Sequence, residues 1–251
     1  MTGIVLGAGV GPAGLVIAPR FCGPPGIGNG GYVSGMVAAY LDGPAEITLR
    51  RPAPLSTPLS VARGEAGVRV LDGDTLIAEG KPAPARLRDE IPGAVAVEAA
   101  REAGASSRLR RRPEQHPFPG CFVCGARADG LGIMVGRVPG RDLLADAWTP
   151  AAEFADADGQ VRPEFVSAAL DCPGGFTAFG RPAPADDVGD SLYLLGRFTV
   201  RHLGPVLAGE PHAVAAWRLE LDRRKLLAGS VLFNAAGRPL GIAYAVWIRL
   251  R

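Results

Sequence analysis

The sequence predicts an α+β fold in which antiparallel strands wrap around central helices, and three observations lead to this prediction. A glycine-rich turn at 28–31 runs straight into an apolar segment at 30–41 that is typical of a buried helix. Consecutive strand-like segments follow that helix. The same order, a helix followed by antiparallel strands, recurs in the second half of the chain. We therefore expect two similar halves, each made of a sheet around one helix.

The first half, which we assign to residues 1–85, contains the central helix and a run of strands. A short apolar run at 13–20 is compatible with a strand, and glycine and proline break it at 23–26. The helix at 30–41 stops at Asp42-Gly43-Pro44. Strand-like segments follow at 46–51, 59–65, 67–71 and 75–79. Pro52 and Pro54 interrupt pairing after the first of these, because proline cannot donate to a β ladder.

A stretch rich in Pro, Arg and Ala connects the two halves. We assign 86–115 to a linker with a short helix at 94–103, since a long connection is uncommon inside one compact unit. The second half, 116–251, repeats the pattern with a helix at 161–179 that is interrupted at Pro173-Gly174-Gly175. Its strand-like segments lie at 131–135, 141–148, 192–202, 213–221, 225–233 and 240–250.

The composition excludes several classes of protein. A hydrophobic content of 47% with 21% charged residues excludes a disordered chain, and a net charge of +2 gives no reason to expect a nucleic-acid partner. No apolar run approaches the roughly 20 residues that a bilayer requires, and residues 1–11 lack the basic start of a signal peptide. We therefore expect a soluble, cytoplasmic protein. The richness in Ala, Gly, Pro and Arg favours a high-GC bacterial genome.

The start of the first helix carries the clearest chemical signal. Unpaired backbone N–H groups and the positive end of the helix dipole converge at Asn29-Gly30-Gly31, a pattern typical of a site for an anion or a developing oxyanion. The stretch resembles the start of the central helix in hot-dog fold acyl-CoA thioesterases, where a His-Gly-Gly or similar triplet opens the helix. Asn29 stands where that family usually has His. The resemblance implies that this chain is a double hot-dog.

The resemblance also implies a composite site. In the family, the glycine after the His is the oxyanion donor, and a carboxylate eight positions later on the same helix serves the site across the interface. The eighth position after Gly30 is Ala38, whereas the eighth after Pro163 is Asp171. We therefore expect one site per chain, which combines the amides of Gly30 and Gly31 with Asp171. The opposite pairing, Pro163 with Ala38, has neither group, since proline carries no N–H.

We also predict the roles of individual residues at the two helices. Asp171 is expected to act as general base or nucleophile, and its alternative role is a hydrogen bond to a neighbouring loop. Asn29 is expected to add a side-chain N–H or to position the water. Glu164, at the start of the second helix, is the second candidate for the base, and its alternative role is to complement the helix dipole. The predicted substrate tunnel is lined by Tyr32, Met36, Phe165 and Phe176.

A Cys-x-x-Cys-Gly element at 121–125 resembles one found before the first strand of some hot-dog thioesterases. A zinc site there would need two further ligands, with His116, Cys172 or Cys22 folding into reach. Because no second Cys-x-x-Cys pair occurs, we expect a tight turn with two half-buried thiols, and neither a metal nor a cofactor. Four cysteines are also too few for a disulfide framework in a chain of this size.

Together these signals predict hydrolysis of an acyl thioester carried by coenzyme A or by an acyl carrier protein. The sequence has no Gly-x-Ser-x-Gly elbow and no Asp and His pair of the hydratase type. The rival is a hot-dog protein without catalysis that binds an acyl chain or a biosynthetic intermediate, which the replacement of His by Asn29 favours. The basic run 108–112 could receive coenzyme A phosphates, but a solvated interdomain segment is the favoured interpretation. Two chains are expected to pair into an assembly of four hot-dogs.

Overall fold

The computed structural model describes residues 14–84, 91–179 and 192–250. The first half contains β1 (Gly14–Leu15), α1 (Gly30–Ala38), β2 (Ala45–Leu49), β3 (Leu59–Gly64), β4 (Gly67–Asp72) and β5 (Thr75–Pro82). The connecting segment contains α2 (Val97–Ala105) and α3 (Arg108–Arg111). The second half contains β6 (Gly136–Arg137), β7 (Leu144–Trp148), α4 (Pro163–Ala169), α5 (Cys172–Phe176), β8 (Tyr193–His202), β9 (His212–Asp222), β10 (Lys225–Phe233) and β11 (Pro239–Arg249).

The strands of the described residues form one antiparallel sheet that runs through both halves. Its order is β1-β3-β4-β5-β2-β8-β11-β10-β9-β7-β6. The halves meet where β2 pairs with β8, with Ala45 opposite Val200 and Thr48 opposite Arg197. The main core lies between this sheet and the helices α1 and α4, which pack against each other. The observed architecture is therefore the predicted α+β arrangement.

Helix α1 begins and ends where the local sequence dictates. Asn29 is its N-cap, and its side-chain oxygen accepts a hydrogen bond from the N–H of Tyr32 at 2.9 Å. The helix ends at Ala38, three residues before the predicted end, and the left-handed backbone of Gly43 (φ 73°) then turns the chain. Seven consecutive residues, 31–37, are buried. A helix buried on all sides has no apolar stripe, as the sequence predicts.

The predicted helix at 161–179 is two helices with a break between them. Helix α4 ends at Ala169, and α5 begins at Cys172. The break precedes the predicted one, because Pro173 lacks the N–H that would bond to the carbonyl oxygen of Ala169 in a continuous helix, whereas proline is tolerated in the first turn of α5. Ser230 of β10 donates to the carbonyl oxygen of Leu170 at 2.6 Å and fixes the break against the sheet.

The connecting segment contributes to the fold more than a linker would. Helix α2 begins and ends two or three residues later than predicted and packs on β7 and β9. It covers a second apolar cluster that includes Ala100, Ala103 and Phe233. The boundaries at 85 and 115 stay a prediction, and residues 85–90 lie outside the described part of the chain.

Two predicted strands differ in the structure. The segment Leu131–Val135 is not a strand, because Gly132 has left-handed backbone (φ 66°). The amides of Leu131 and Ile133 instead donate to the carbonyl oxygens of Phe122 and Val123 at 2.8 and 2.9 Å. In the first predicted strand, β1 is followed by a 3-10 turn at Pro19–Phe21. Within the described ranges, no helix has the length and apolar character needed to span a membrane.

Candidate active site

Asp171 occupies the break between α4 and α5, facing the start of α1. One carboxylate oxygen, Oδ2, accepts hydrogen bonds from the N–H of Gly31 at 2.8 Å and from the side-chain amide of Asn29 at 3.2 Å. The other oxygen, Oδ1, is buried and has no hydrogen-bond partner among the described residues. The structure therefore brings Asp171 to the Asn29-Gly30-Gly31 turn within one chain.

The burial of Asp171 changes its acidity. The residue is 2% exposed, and this desolvation raises its pKa to about 7, although the hydrogen bonds from Gly31 and Asn29 oppose the rise. A carboxyl group with such a pKa is divided between its acid and base forms near neutral pH. This is the range in which a general base works most effectively.

Asn29 performs two tasks with its two side-chain atoms. Its Oδ1 caps α1 through Tyr32, and its Nδ2 points to Asp171 and to the sulfurs of Cys172 and Cys121, at 3.8 and 3.9 Å. The side chain is 2% exposed. Because Oδ1 is held by the cap, Nδ2 is fixed as a donor towards the carboxylate. Asn29 therefore orients Asp171 directly.

The two glycines at the helix start have different surroundings. A Cβ atom on Gly31 would overlap Asp171, and one on Gly35 would overlap the backbone of Glu164, so these glycines allow α1 and α4 to cross closely. The N–H of Gly31 is bonded to Asp171 and is not available to a substrate in this arrangement. The N–H of Gly30 has no hydrogen-bond partner among the described residues. Of the two predicted oxyanion donors, Gly30 has the free amide.

A cavity of about 320 Å³ lies in front of these groups. Its wall contains Asn29, Gly30 and Asp171, and is otherwise mainly apolar. The apolar part includes Leu49, Phe176, Phe179, Tyr193, Leu195 and Trp247. An apolar cavity with a few polar groups at one end is typical of a site for a small ligand with an apolar portion.

Only one of the four predicted tunnel residues lines this cavity, namely Phe176. Tyr32, Met36 and Phe165 are each 1% exposed and belong to the core. Tyr32 stacks on Phe21 with ring centroids 4.2 Å apart, and its ring lies 5.6 Å from that of Phe165. Residues 31–37 of α1 and 165–169 of α4 are all buried, so the sequence of neither helix shows which face meets the cavity. The predicted tunnel positions of Tyr32, Met36 and Phe165 are therefore wrong.

Glu164 also lies away from the cavity wall. It is half-buried in the first turn of α4, with its carboxylate 3.6 Å from the Nε of Arg162. Its backbone contacts the crossing point at Gly35. This environment matches its alternative role at the start of the helix rather than that of the base.

Three of the four cysteines converge beside Asp171. The sulfurs of Cys121, Cys124 and Cys172 all lie within 4.8 Å of one another, and all three residues are buried, including Cys121 and Cys124, which were expected to be half-buried. Hydrogen bonds from Cys124 and Cys172 lower the pKa of the Cys121 thiol, and the same bonds raise the pKa of the other two. Cys22 lies apart from the three and donates to the carbonyl oxygen of Gly120 at 3.1 Å.

Two further residues of the cavity wall were not predicted to line it, although His116 was named from the sequence as a possible zinc ligand. The indole N–H of Trp247, on β11, is buried and has no partner among the described residues. His116 accepts a hydrogen bond from the N–H of Phe118 through Nδ1 at 2.9 Å, whereas its Nε2 has no partner there. Burial lowers the pKa of His116, so the ring is neutral near pH 7. Neither residue belongs to a motif that could have indicated its position.

No protein-family model matches the chain, and no curated protein matches it in sequence. Solved structures do match it over nearly its whole length. The tesB protein of Mycobacterium avium subspecies paratuberculosis is 13% identical, with a TM-score of 0.62 over 98% of this chain and 97% of that one.

Two other full-length matches agree with this one. A candidate thioesterase II from Thermobifida fusca is 14% identical, with a TM-score of 0.59 over 98% of this chain and 97% of that one. A candidate thioesterase from Novosphingobium aromaticivorans is 12% identical, with a TM-score of 0.58 over 99% of this chain and all of that one. At these identities the similarity concerns the fold. The chain has the α+β double hot-dog fold, as predicted.

Proposed function

We propose that this protein hydrolyses an acyl thioester, with Asp171 as the general base and the N–H of Gly30 as the oxyanion donor. One observation carries the proposal. A buried carboxylate with an unpartnered oxygen and a helix-start amide without a partner lie on the wall of the same apolar cavity. These are the two groups that attack on a thioester carbonyl requires.

The reaction follows from these two groups. Asp171 Oδ1 takes a proton from water as the water oxygen bonds to the carbonyl carbon, and the carbonyl oxygen, now negative, accepts the hydrogen bond from Gly30. When the tetrahedral intermediate collapses, the C–S bond breaks and the proton passes to the leaving thiolate. The products are a carboxylic acid and a thiol. Loss of a single oxyanion donor typically lowers the rate by about 10²–10³.

The cavity fits the acyl portion of such a substrate. Its apolar side chains, among them Leu49, Leu195 and Phe176, offer a surface for a hydrocarbon or aromatic group. The carrier, coenzyme A or an acyl carrier protein, would remain outside. An assembly of two chains into four hot-dogs stays a prediction.

Thiol release from a panel of short, medium, long and aromatic acyl-CoA esters tests the proposal. We expect turnover of at least one class, and its loss in Asp171→Ala, while Asp158→Asn, which changes an exposed acid, keeps the wild-type rate. Tight binding of an acyl-CoA without thiol release, equal in wild type and Asp171→Ala, would instead support the non-catalytic rival. The hydrogen bonds that join Asp171 to α1 would then serve only to hold the two helices together.

A further inference from the structure

We propose that Cys121, Cys124 and Cys172 form a zinc site whose fourth coordination position faces the cavity. The sulfurs of Cys121 and Cys172 are 3.8 Å apart, and all three lie within 4.8 Å of one another. Tetrahedral zinc with Zn–S bonds of about 2.3 Å separates its sulfur ligands by about 3.8 Å. The distance between the sulfurs of Cys121 and Cys172 therefore matches that of a tetrahedral centre, and the other two sulfur–sulfur distances exceed it by at most about 1 Å.

The Cys-x-x-Cys turn is tight, and its first sulfur has a hydrogen-bond donor beside it. The N–H of Gly125 donates to the carbonyl oxygen of Cys121 at 2.9 Å, and the side-chain amide of Asn29 donates to the sulfur of Cys121 at 3.9 Å. A Cβ atom on Gly125 would overlap the carbonyl oxygens of Pro119 and Cys121, so the tight turn requires glycine at this position. Hydrogen bonds to the sulfur of a metal ligand orient it and adjust its charge.

The third thiol comes from the other side of the site. Cys172 is the first residue of α5, and the amide of Asn29 points to the sulfurs of both Cys172 and Cys121. Three buried thiols have only weak hydrogen-bonding capacity towards one another. A divalent d¹⁰ cation would bind all three as thiolates, releasing their protons to solvent, and would offset two of their three negative charges.

The fourth position has its own candidates. All three cysteines line the cavity, and so do Asp171 and His116, whose Oδ1 and Nε2 are buried and unpartnered among the described residues. Neither of these atoms belongs to the group that lies within 4.8 Å. The geometry thus gives three protein ligands and one position for water or an exogenous ligand. A zinc ion bound there would also connect Cys172, which follows Asp171 in the chain, to the turn at 121–125.

Zinc content and cobalt substitution test this site. Wild-type protein, loaded with zinc after removal of metal by a chelator, should bind one zinc per chain, measured by mass spectrometry of the element and by competition with a chromophoric chelator. Cobalt(II) should give the thiolate-to-cobalt charge-transfer band. Cys124→Ser should bind zinc on the order of 100-fold more weakly or worse, since even loss of a residue behind a ligand costs 10- to 100-fold.

Cys22→Ser is the matched control, because Cys22 lies outside the three-thiol group and should leave zinc content unchanged. Folding of each variant is checked by circular dichroism, and the cobalt titration of wild-type protein does not depend on a variant folding. Wild-type protein that binds no zinc and gives no cobalt–thiolate band would overturn the proposal. Zinc content is independent of turnover, so the zinc site and the proposed hydrolysis fail separately.

Discussion

Two buried aspartates, Asp171 and Asp146, have nearly the same exposure, 2% and 3%, but opposite surroundings. Asp146 Oδ2 accepts from the guanidinium of Arg110 and from the N–H of Met134, each at 2.7 Å, and its Oδ1 accepts from the N–H of Ala147 at 2.9 Å. Asp171 has two neutral donors on one oxygen, none on the other and no ion pair among the described residues. Burial raises the pKa of both.

The comparison shows that burial alone does not distinguish a structural acid from a candidate catalytic one. A buried carboxylate that stabilises a fold has both oxygens hydrogen-bonded and its charge paired, as Asp146 has. A carboxylate with an unmatched oxygen on a cavity wall has a free acceptor for a proton from water. The distinction lies in the partners of each oxygen.

Replacing each acid by its amide should have the largest effect and should separate the two roles. Asp171→Asn is expected to lower kcat/KM by about 10³-fold, because the amide cannot take the proton, while the free energy of unfolding changes by less than about 1 kcal/mol. Asp146→Asn is expected to keep the turnover of the folded protein but lose about 2 kcal/mol of stability, since Arg110 loses its charge partner. Thiol-release kinetics and urea unfolding measure the two quantities.

If Asp171→Asn lost stability as Asp146→Asn does and kept its turnover, Asp171 would be a second structural acid. The exposed Asp158→Asn, expected to be neutral in both measurements, controls for the change in net charge.

Each aspartate packs against a glycine, and these glycines give the next largest effect. A Cβ atom at Gly31 would overlap Asp171, and one at Gly104 of α2 would overlap Asp146. Both Gly→Ala variants should lose about 1–3 kcal/mol of stability through overpacking. Only Gly31→Ala should also lower kcat, because it displaces the base. Gly64→Ala, with open space around the added carbon, is the control, and equal kcat values for both test variants would refute the distinction.

Removing the cation of the structural pair should have a smaller effect. Arg110→Met leaves the Asp146 carboxylate with two amide donors and no positive partner. The Arg110 side chain is 43% exposed, so solvent screens its charge, and we expect a loss of about 1–2 kcal/mol with unchanged kcat. Thermal unfolding measures the loss, and Arg111→Met, which changes an exposed neighbour, should show little change. A change in kcat for Arg110→Met would show that the two aspartates are coupled.

The sequence predicted the fold because its signals are local. Glycine and proline positions bound the elements, and the apolar segment at 30–41 gives α1 within a few residues. It could not predict which face of a buried helix meets the cavity, so the predicted tunnel included Tyr32, Met36 and Phe165, which lie in the core. It also predicted a strand at 131–135, because it did not show that Gly132 would be left-handed.

The candidate site was predictable where it depended on spacing along a helix, and not where it depended on distant segments meeting. The spacing from Pro163 indicated Asp171, and the structure places Asp171 against α1. The grouping of Cys172 with Cys121 and Cys124 joins residues 48 or more positions apart, and no local pattern encodes that distance. The pairing of Asp146 with Arg110 also joins residues that are distant in the chain. The sequence alone therefore could not show which of the two buried aspartates has a charge partner.

The smallest effect separates the two tasks of Asn29. Asn29→Ser keeps a side-chain acceptor for the N–H of Tyr32, so the free energy of unfolding should change by only about 0.3 kcal/mol. It removes the donor to Asp171, and kcat should fall about tenfold because the carboxylate is no longer oriented. Asn29→Ala removes both functions and should cost about 1 kcal/mol as well. If Asn29→Ser kept the wild-type kcat, the N–H of Gly31 alone would suffice to hold the base, and the Asn29 side chain would serve only to begin the helix.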